Sequence, residues 1–191
     1  MKPIHPAFNE RKAAQIAAFF LDKSAEKKMS HLKLMKLLYL SEREAVRRFG
    51  HLISGDHLVS MPHGPVLSMT LNLMDGDVES QPGGWEEWIS DKENHELSLR
   101  KSLNQISLDE LSPAELDVLQ SVWEEFGSMG KWEIRDWTHQ YCVEWKDPNG
   151  SSFPIEYTTL ARAVGFNRIQ AQQLAEQIQD EREIDALFAA L

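Results

Sequence analysis

Between Leu32 and Gly50 the chain reads LKLMKLLYLSEREAVRRFG. At about 100° per residue this is a helix with more apolar surface than one exposed side allows. Leu32, Leu34, Met35, Leu38, Tyr39, Ala45, Val46 and Phe49 share a broad apolar face. Lys33, Lys36, Arg43, Glu44, Arg47 and Arg48 share the opposite, basic face. Leu37 and Leu40 fall inside that basic stripe, and Glu42 falls in the middle of the apolar face. A helix that is apolar almost all round belongs at the centre of a domain. The expected fold is therefore mainly α: a compact helical domain around a central buried helix, with a small β element or hairpin.

Two readings hold for Leu37 and Leu40. They touch a further core element, or they form a partner-facing patch rimmed by Lys and Arg. Glu42 has one requirement, since a buried carboxylate needs donors. These are expected from a side chain or from free N–H groups at a helix start.

The surrounding pattern supplies the elements that pack on this helix. Ala7–Asp22 reads as a first helix, with alanines that permit close approach. Ser30 suits the N-cap of the central helix and Gly50 its left-handed end. His57–Met61 reads as a strand, and Pro62-His63-Gly64-Pro65 ends it. Pro65 suits the first turn of a helix over 66–74, which Asp75-Gly76 stops. Trp85–Ile89 and Glu96–Arg100 suggest a hairpin around Asp91–Asn94. Ser112-Pro113 with Glu115 has the capping-box pattern, opening a helix with a stripe of Leu116, Leu119, Val122, Trp123 and Phe126. A further helix follows at Trp132–Gln140. After Pro148-Asn149-Gly150, Ile155–Val164 and Asn167–Leu191 read as two helices parted at Gly165. The division expected is 1–147 for the main domain and 148–191 for a helical extension packed on it.

Charge is unevenly placed in a chain of 191 residues and net charge −10. Residues 1–50 hold 11 Lys and Arg against 5 Asp and Glu, while residues 77–147 hold 6 against 17. Either the two parts neutralise each other in the fold, or the asymmetry steers a charged protein partner. The net charge argues against broad nucleic-acid binding, which needs clustered cations. No apolar run reaches the roughly 18 residues of a membrane span. No signal-peptide pattern opens the chain, so the cytoplasm is the expected compartment.

Nothing in the sequence assembles a catalytic or metal site. Seven histidines include no HExxH and no paired Cys/His spacing. Cys142 stands alone; with His139 it is three residues apart on one helical face, without an oxyanion hole or an orienting group. A buried structural cysteine is the expected reading, with no catalysis, cofactor or metal. All six tryptophans lie between Trp85 and Trp145. Most should be core, with one or two of Trp85, Trp88 and Trp132 exposed. Residues 159–178 have the small residues and glycine of a helix-turn-helix. They offer only Arg162 and Arg168 as cations, so a packing helix pair fits better.

The ordered pieces LKLMKLLYLSEREA, PHGPV and FGSMGKWEIRDWTH, followed by Trp145, resemble the SocA-like antitoxin family, the Panacea domain. Its most specific parts here are Lys33, Lys36, Leu37 and Tyr39, then His63, Gly64, Pro65 and Val66, then His139 and Trp145. The resemblance spans Arg11 to Trp145 and implies a binding protein with no established catalytic residues. Family members are encoded beside toxins that they neutralise, including toxic small alarmone synthetases and other toxins that act on translation. One acts as an adaptor to the ClpXP protease, and some are phage-associated. The implied function is neutralisation of a cognate toxin by direct binding. The alternatives are proteolytic delivery of the toxin, a DNA-binding autorepressor, or an enzyme that reverses the toxin's modification. Candidate contact residues are Leu37, Leu40, Arg43 and Arg47 on the basic stripe, and Trp88 and Trp132 in the acidic region.

Overall fold

The computed structural model of the chain describes residues 8–103 and 108–189. It is mainly helical, with two small antiparallel sheets. Helix α1 (Glu10–Lys23) starts where the Asn9 side chain accepts from the Lys12 N–H at 3.0 Å. The expectation for this helix began at Ala7, which lies outside the described residues. Ala13, Ala14, Ala17 and Ala18 are all buried, so α1 approaches α2 closely. Strand β1 (Lys28–Ser30) leads into α2 (His31–Phe49). Ser30 sits at the N-cap position but makes no side-chain cap, and the His31 N–H instead donates to the His95 carbonyl at 2.9 Å. Gly50 ends α2 at φ 73°, in the region glycine enters without strain.

The central position of α2 is plain from its neighbours: it contacts α1 and both sheets, and also α5 (Pro113–Phe126), α6 (Lys131–Tyr141) and α7 (Tyr157–Ala163). Leu37 and Leu40 are buried, as is Lys36 from the basic stripe. The leucines are therefore core contacts and not an exposed patch. α5 begins with the expected capping box between Ser112 and Glu115.

The largest departure from the sequence pattern lies at His63-Gly64-Pro65. Pro65 does not open a helix. Strands β2 (Leu58–Met61) and β3 (Gly64–Leu67) form a hairpin with Ser60 opposite Pro65, and α3 (Ser68–Asp75) follows. The sheet order is β3-β2-β5, with β5 (Phe153–Pro154) on the far side of β2, so β3 is an edge strand. An edge tolerates a proline because its missing N–H breaks no ladder bond. The second departure is at Trp85–Trp88, which is a single helical turn, α4, rather than a strand. Both tryptophans are buried, and the Glu10 carboxylate accepts from the Trp85 N–H at 2.8 Å. Strand β4 (Glu96–Ser98) pairs instead with β1, leaving isolated bridges from Ile89 to Leu99 and from Glu93 to Glu96.

The C-terminal segment joins the same structure. Beyond β5, α7 and α8 (Arg168–Ala189) pack on each other across Gly165, at φ 107°. Ion pairs Lys12–Glu115, Lys28–Glu96 and Arg43–Glu144 link the basic first part of the chain to the acidic middle. Part of the charge asymmetry is thus neutralised internally.

Candidate partner-binding site

The three sequence pieces Lys33–Tyr39, His63–Val66 and Thr138–Trp145 converge on one junction. Strand β3 is an edge buried against α2, so its unpaired groups need partners. Lys36 supplies one: its Nζ donates to the Pro65 carbonyl at 2.7 Å. The Leu67 N–H points at the Met35 sulfur, 3.3 Å away. Gly64, at φ 97°, admits the approach, since a Cβ there would stand 2.9 Å from Thr138 Oγ1 and 3.1 Å from Lys36 Nζ. Burial lowers the Lys36 pKa from 10.5 to about 7, so near neutral pH the amine is charged only in part and donates to the carbonyl without a counter-charge beside it.

Three further hydrogen bonds fix the segment after α6 to the hairpin and to α2. The Trp145 indole N–H donates to the Met61 carbonyl at 2.9 Å, and the His139 ring stacks on Trp145 with centroids 4.0 Å apart and planes 3° from parallel. Burial lowers the His139 pKa, with the Arg135 and Lys36 charges adding to it, so the stacked ring is kept neutral. Tyr39 Oη and Arg43 Nε both donate to the same oxygen of buried Glu144, at 2.7 and 2.8 Å. Cys142 lies beside this carboxylate, and burial followed by the Glu144 charge pushes its thiol up to about 12. A thiol so held is a packing group and not a nucleophile. Lys33 caps a neighbour, donating to the Gly127 carbonyl at the end of α5 at 2.6 Å. Among the described residues, no three His, Cys, Asp or Glu side chains group as metal ligands.

Glu42 finds the expected side-chain donor in Ser54, together with two N–H groups of a loop in place of a helix start. It accepts from the Ile53 and Ser54 N–H groups at 2.6 and 2.8 Å and from Ser54 Oγ at 2.5 Å. Its neighbour Asp56 takes the helix start: it accepts from Met69 and Thr70 N–H, each at 2.8 Å, in the first turn of α3. Burial raises the pKa of both carboxyls.

This junction is buried, and what it presents to solvent is the first turn of α6 with the tip of the β2–β3 hairpin. Trp132 is 52% exposed there. Arg135 and Lys131 lie over its ring, 4.8 and 5.4 Å from the centroid, and the His63 ring stands edge-on at 6.5 Å. Of the residues suggested by sequence, Trp132 and Arg47 are exposed. Arg47 is held in a two-bond pair with Glu44, at 2.7 and 2.6 Å, which satisfies its charge locally. Arg43 is mostly buried on Glu144. Leu37, Leu40 and Trp88 are buried and reach no surface. Lys131, Arg135 and His63 were not singled out as contacts; a Trp flanked at i−1 and i+3 by cations was the available signal.

The model of the family described as antitoxin SocA-like, Panacea domain, matches residues 34–146. That range includes α2 from its first turn, the hairpin, α6 and Trp145, so the junction, Lys33 apart, lies within it. No curated protein and no solved structure matches the chain.

Proposed function

The chain belongs to the SocA-like antitoxin family that carries the Panacea domain, and we propose that it neutralises a toxin protein by binding it directly. The reading rests on one observation beyond the family: a half-exposed Trp132, clamped by Arg135 and Lys131 beside His63, on a helix that the buried junction holds rigidly. Tryptophan and arginine dominate binding energy at interfaces when set on a fixed support. The toxin is occluded or locked by contact, with no chemistry by the antitoxin, in keeping with the raised, buried Cys142 thiol. The test is co-expression with the product of the adjoining gene. Wild type rescues growth; Trp132→Ala, with unchanged circular dichroism, loses rescue. Full rescue by Trp132→Ala together with Arg135→Ala would remove this surface from the account.

A further inference from the structure

Of the nine arginines in the sequence, seven hold a carboxylate or a main-chain carbonyl. The two that do not are Arg162, in the last turn of α7, and Arg168, in the first turn of α8 (Arg168–Ala189). Neither has an ion pair or hydrogen bond among the described residues. In a chain with 30 Asp and Glu against 20 Lys and Arg, an arginine without a carboxylate is the exception. Both exceptions line one cavity of about 440 Å³, formed by α7, α8 and the turn that follows α6.

The rest of the lining suits the same kind of occupant. No acid is among the described residues that line it. Thr158 and Thr159 bring hydroxyls that make no hydrogen bond among the described residues. Val143, 68% exposed, and Ala163 give an apolar wall. The first turn of α8 is closed by reciprocal bonds between Asn167 and Gln170, at 3.0 and 2.9 Å, so the donors on offer are side chains and not helix amides. Gln172 Nε2 is already given to Glu176 at 2.9 Å. Two like charges at one mouth repel each other, and an anion that both reach removes the repulsion.

We propose that this cavity binds a small organic phosphate ester, its phosphate held by Arg162 and Arg168 and its organic part laid on Val143 and Ala163. A guanidinium fork takes two oxygens at once. Two forks and two hydroxyls offer more bonds than the roughly four acceptor positions of one carboxylate, and they suit the three oxygens of a phosphate. The volume falls in the range of small-molecule sites. An extended polyanion is disfavoured, because the helices that build the cavity also carry Glu156, at the N-cap of α7, and Glu176, one turn beyond Gln172. The site does not depend on the toxin-binding reading, because α7 and α8 lie outside the residues matched to the family.

Phenyl phosphate is the probe, titrated into the full chain at constant ionic strength and followed by heteronuclear NMR of the backbone amides. Saturable shifts should appear at Val143, Thr158, Thr159, Arg162 and Arg168, and sodium chloride should not reproduce them. Inorganic phosphate should shift the same amides with roughly tenfold weaker affinity, because it leaves the apolar wall bare. Benzoate, the same ring on a carboxylate, should also be weaker by roughly tenfold. Arg162→Ala with Arg168→Ala should weaken phenyl phosphate by roughly tenfold or more, with unchanged circular dichroism, since neither side chain bonds to the fold. Absence of a saturable shift with phenyl phosphate, or undiminished binding by the double variant, overturns the proposal. Benzoate binding as tightly as phenyl phosphate overturns the choice of phosphate. A tetraglutamate peptide that binds more tightly than phenyl phosphate overturns it as well and gives the cavity to an acidic protein segment.

Discussion

Replacing Lys36 with methionine should stabilise the protein, although it deletes a hydrogen bond at the centre of the fold. Lys36 is fully buried, and burial lowers its pKa from 10.5 to about 7. The unfolded chain keeps the amine protonated up to the ordinary lysine range. At 1.36 kcal/mol per unit, a native lowering of that size destabilises the fold near pH 7 by on the order of 4 kcal/mol. The variant removes this cost but strips the Pro65 carbonyl of its donor, a loss of about 1–3 kcal/mol. Methionine fills a similar volume without charge. The net expectation is stabilisation by roughly 1–3 kcal/mol at pH 7. The sign with pH follows from proton counts. Between pH 7 and 9 the unfolded state holds a proton that the native amine has released. Wild-type stability therefore rises by about 1 kcal/mol per pH unit from this group, and the variant's advantage shrinks equally. The Lys36 window runs up to the ordinary lysine value of 10.5; above pH 9 the Cys142 thiol, raised in the fold from 9.0 to about 12, lowers the stability of both proteins alike and leaves their difference unchanged. Urea unfolding of both proteins at pH 7, 8 and 9, followed by tryptophan fluorescence, measures the difference. A variant destabilised by the same amount at all three values would refute the reasoning.

Further substitutions and a thiol probe test the surroundings of α2. Gly64→Ala should lose about 1–3 kcal/mol in thermal unfolding, because φ is 97° and the new methyl meets Thr138 Oγ1 and Lys36; an unchanged midpoint contradicts the close approach. Glu42→Gln should destabilise by about 1–3 kcal/mol, since an amide cannot accept all the bonds from Ile53 and Ser54. Glu42→Leu should be worse, and a Glu42→Leu protein more stable than wild type would deny the carboxylate its structural role. Cys142 should resist a thiol reagent in the native state and react fully after denaturation; prompt native reaction would show that its surroundings open.

The central helix was readable because local rules and tertiary demand agree there. Its apolar surface, Gly50 and the position of Ser30 all point to the same limits. What a helical pattern omits is which polar residue the core will take in. Lys36 looked like part of a basic stripe, yet the edge of β3 lies against it and its carbonyl needs a donor. That edge was itself hidden, since a proline after glycine fits a helix start as well as an edge strand, and the choice depends on β3 folding back on β2 and packing against α2. Trp88 had the right residue type for a contact but sits one turn from Trp85, and both are taken by the core beside α1. Trp132 was legible as an exposed tryptophan; the cations and histidine around it come together only when hairpin and α6 dock.

Direct binding is measured most plainly by size-exclusion chromatography with light scattering on the purified chain mixed with the product of the adjoining gene. A stable complex should form with wild type and be lost or greatly weakened with Trp132→Ala. Neutralisation of the toxin by the chain with no complex at any ratio would contradict the account.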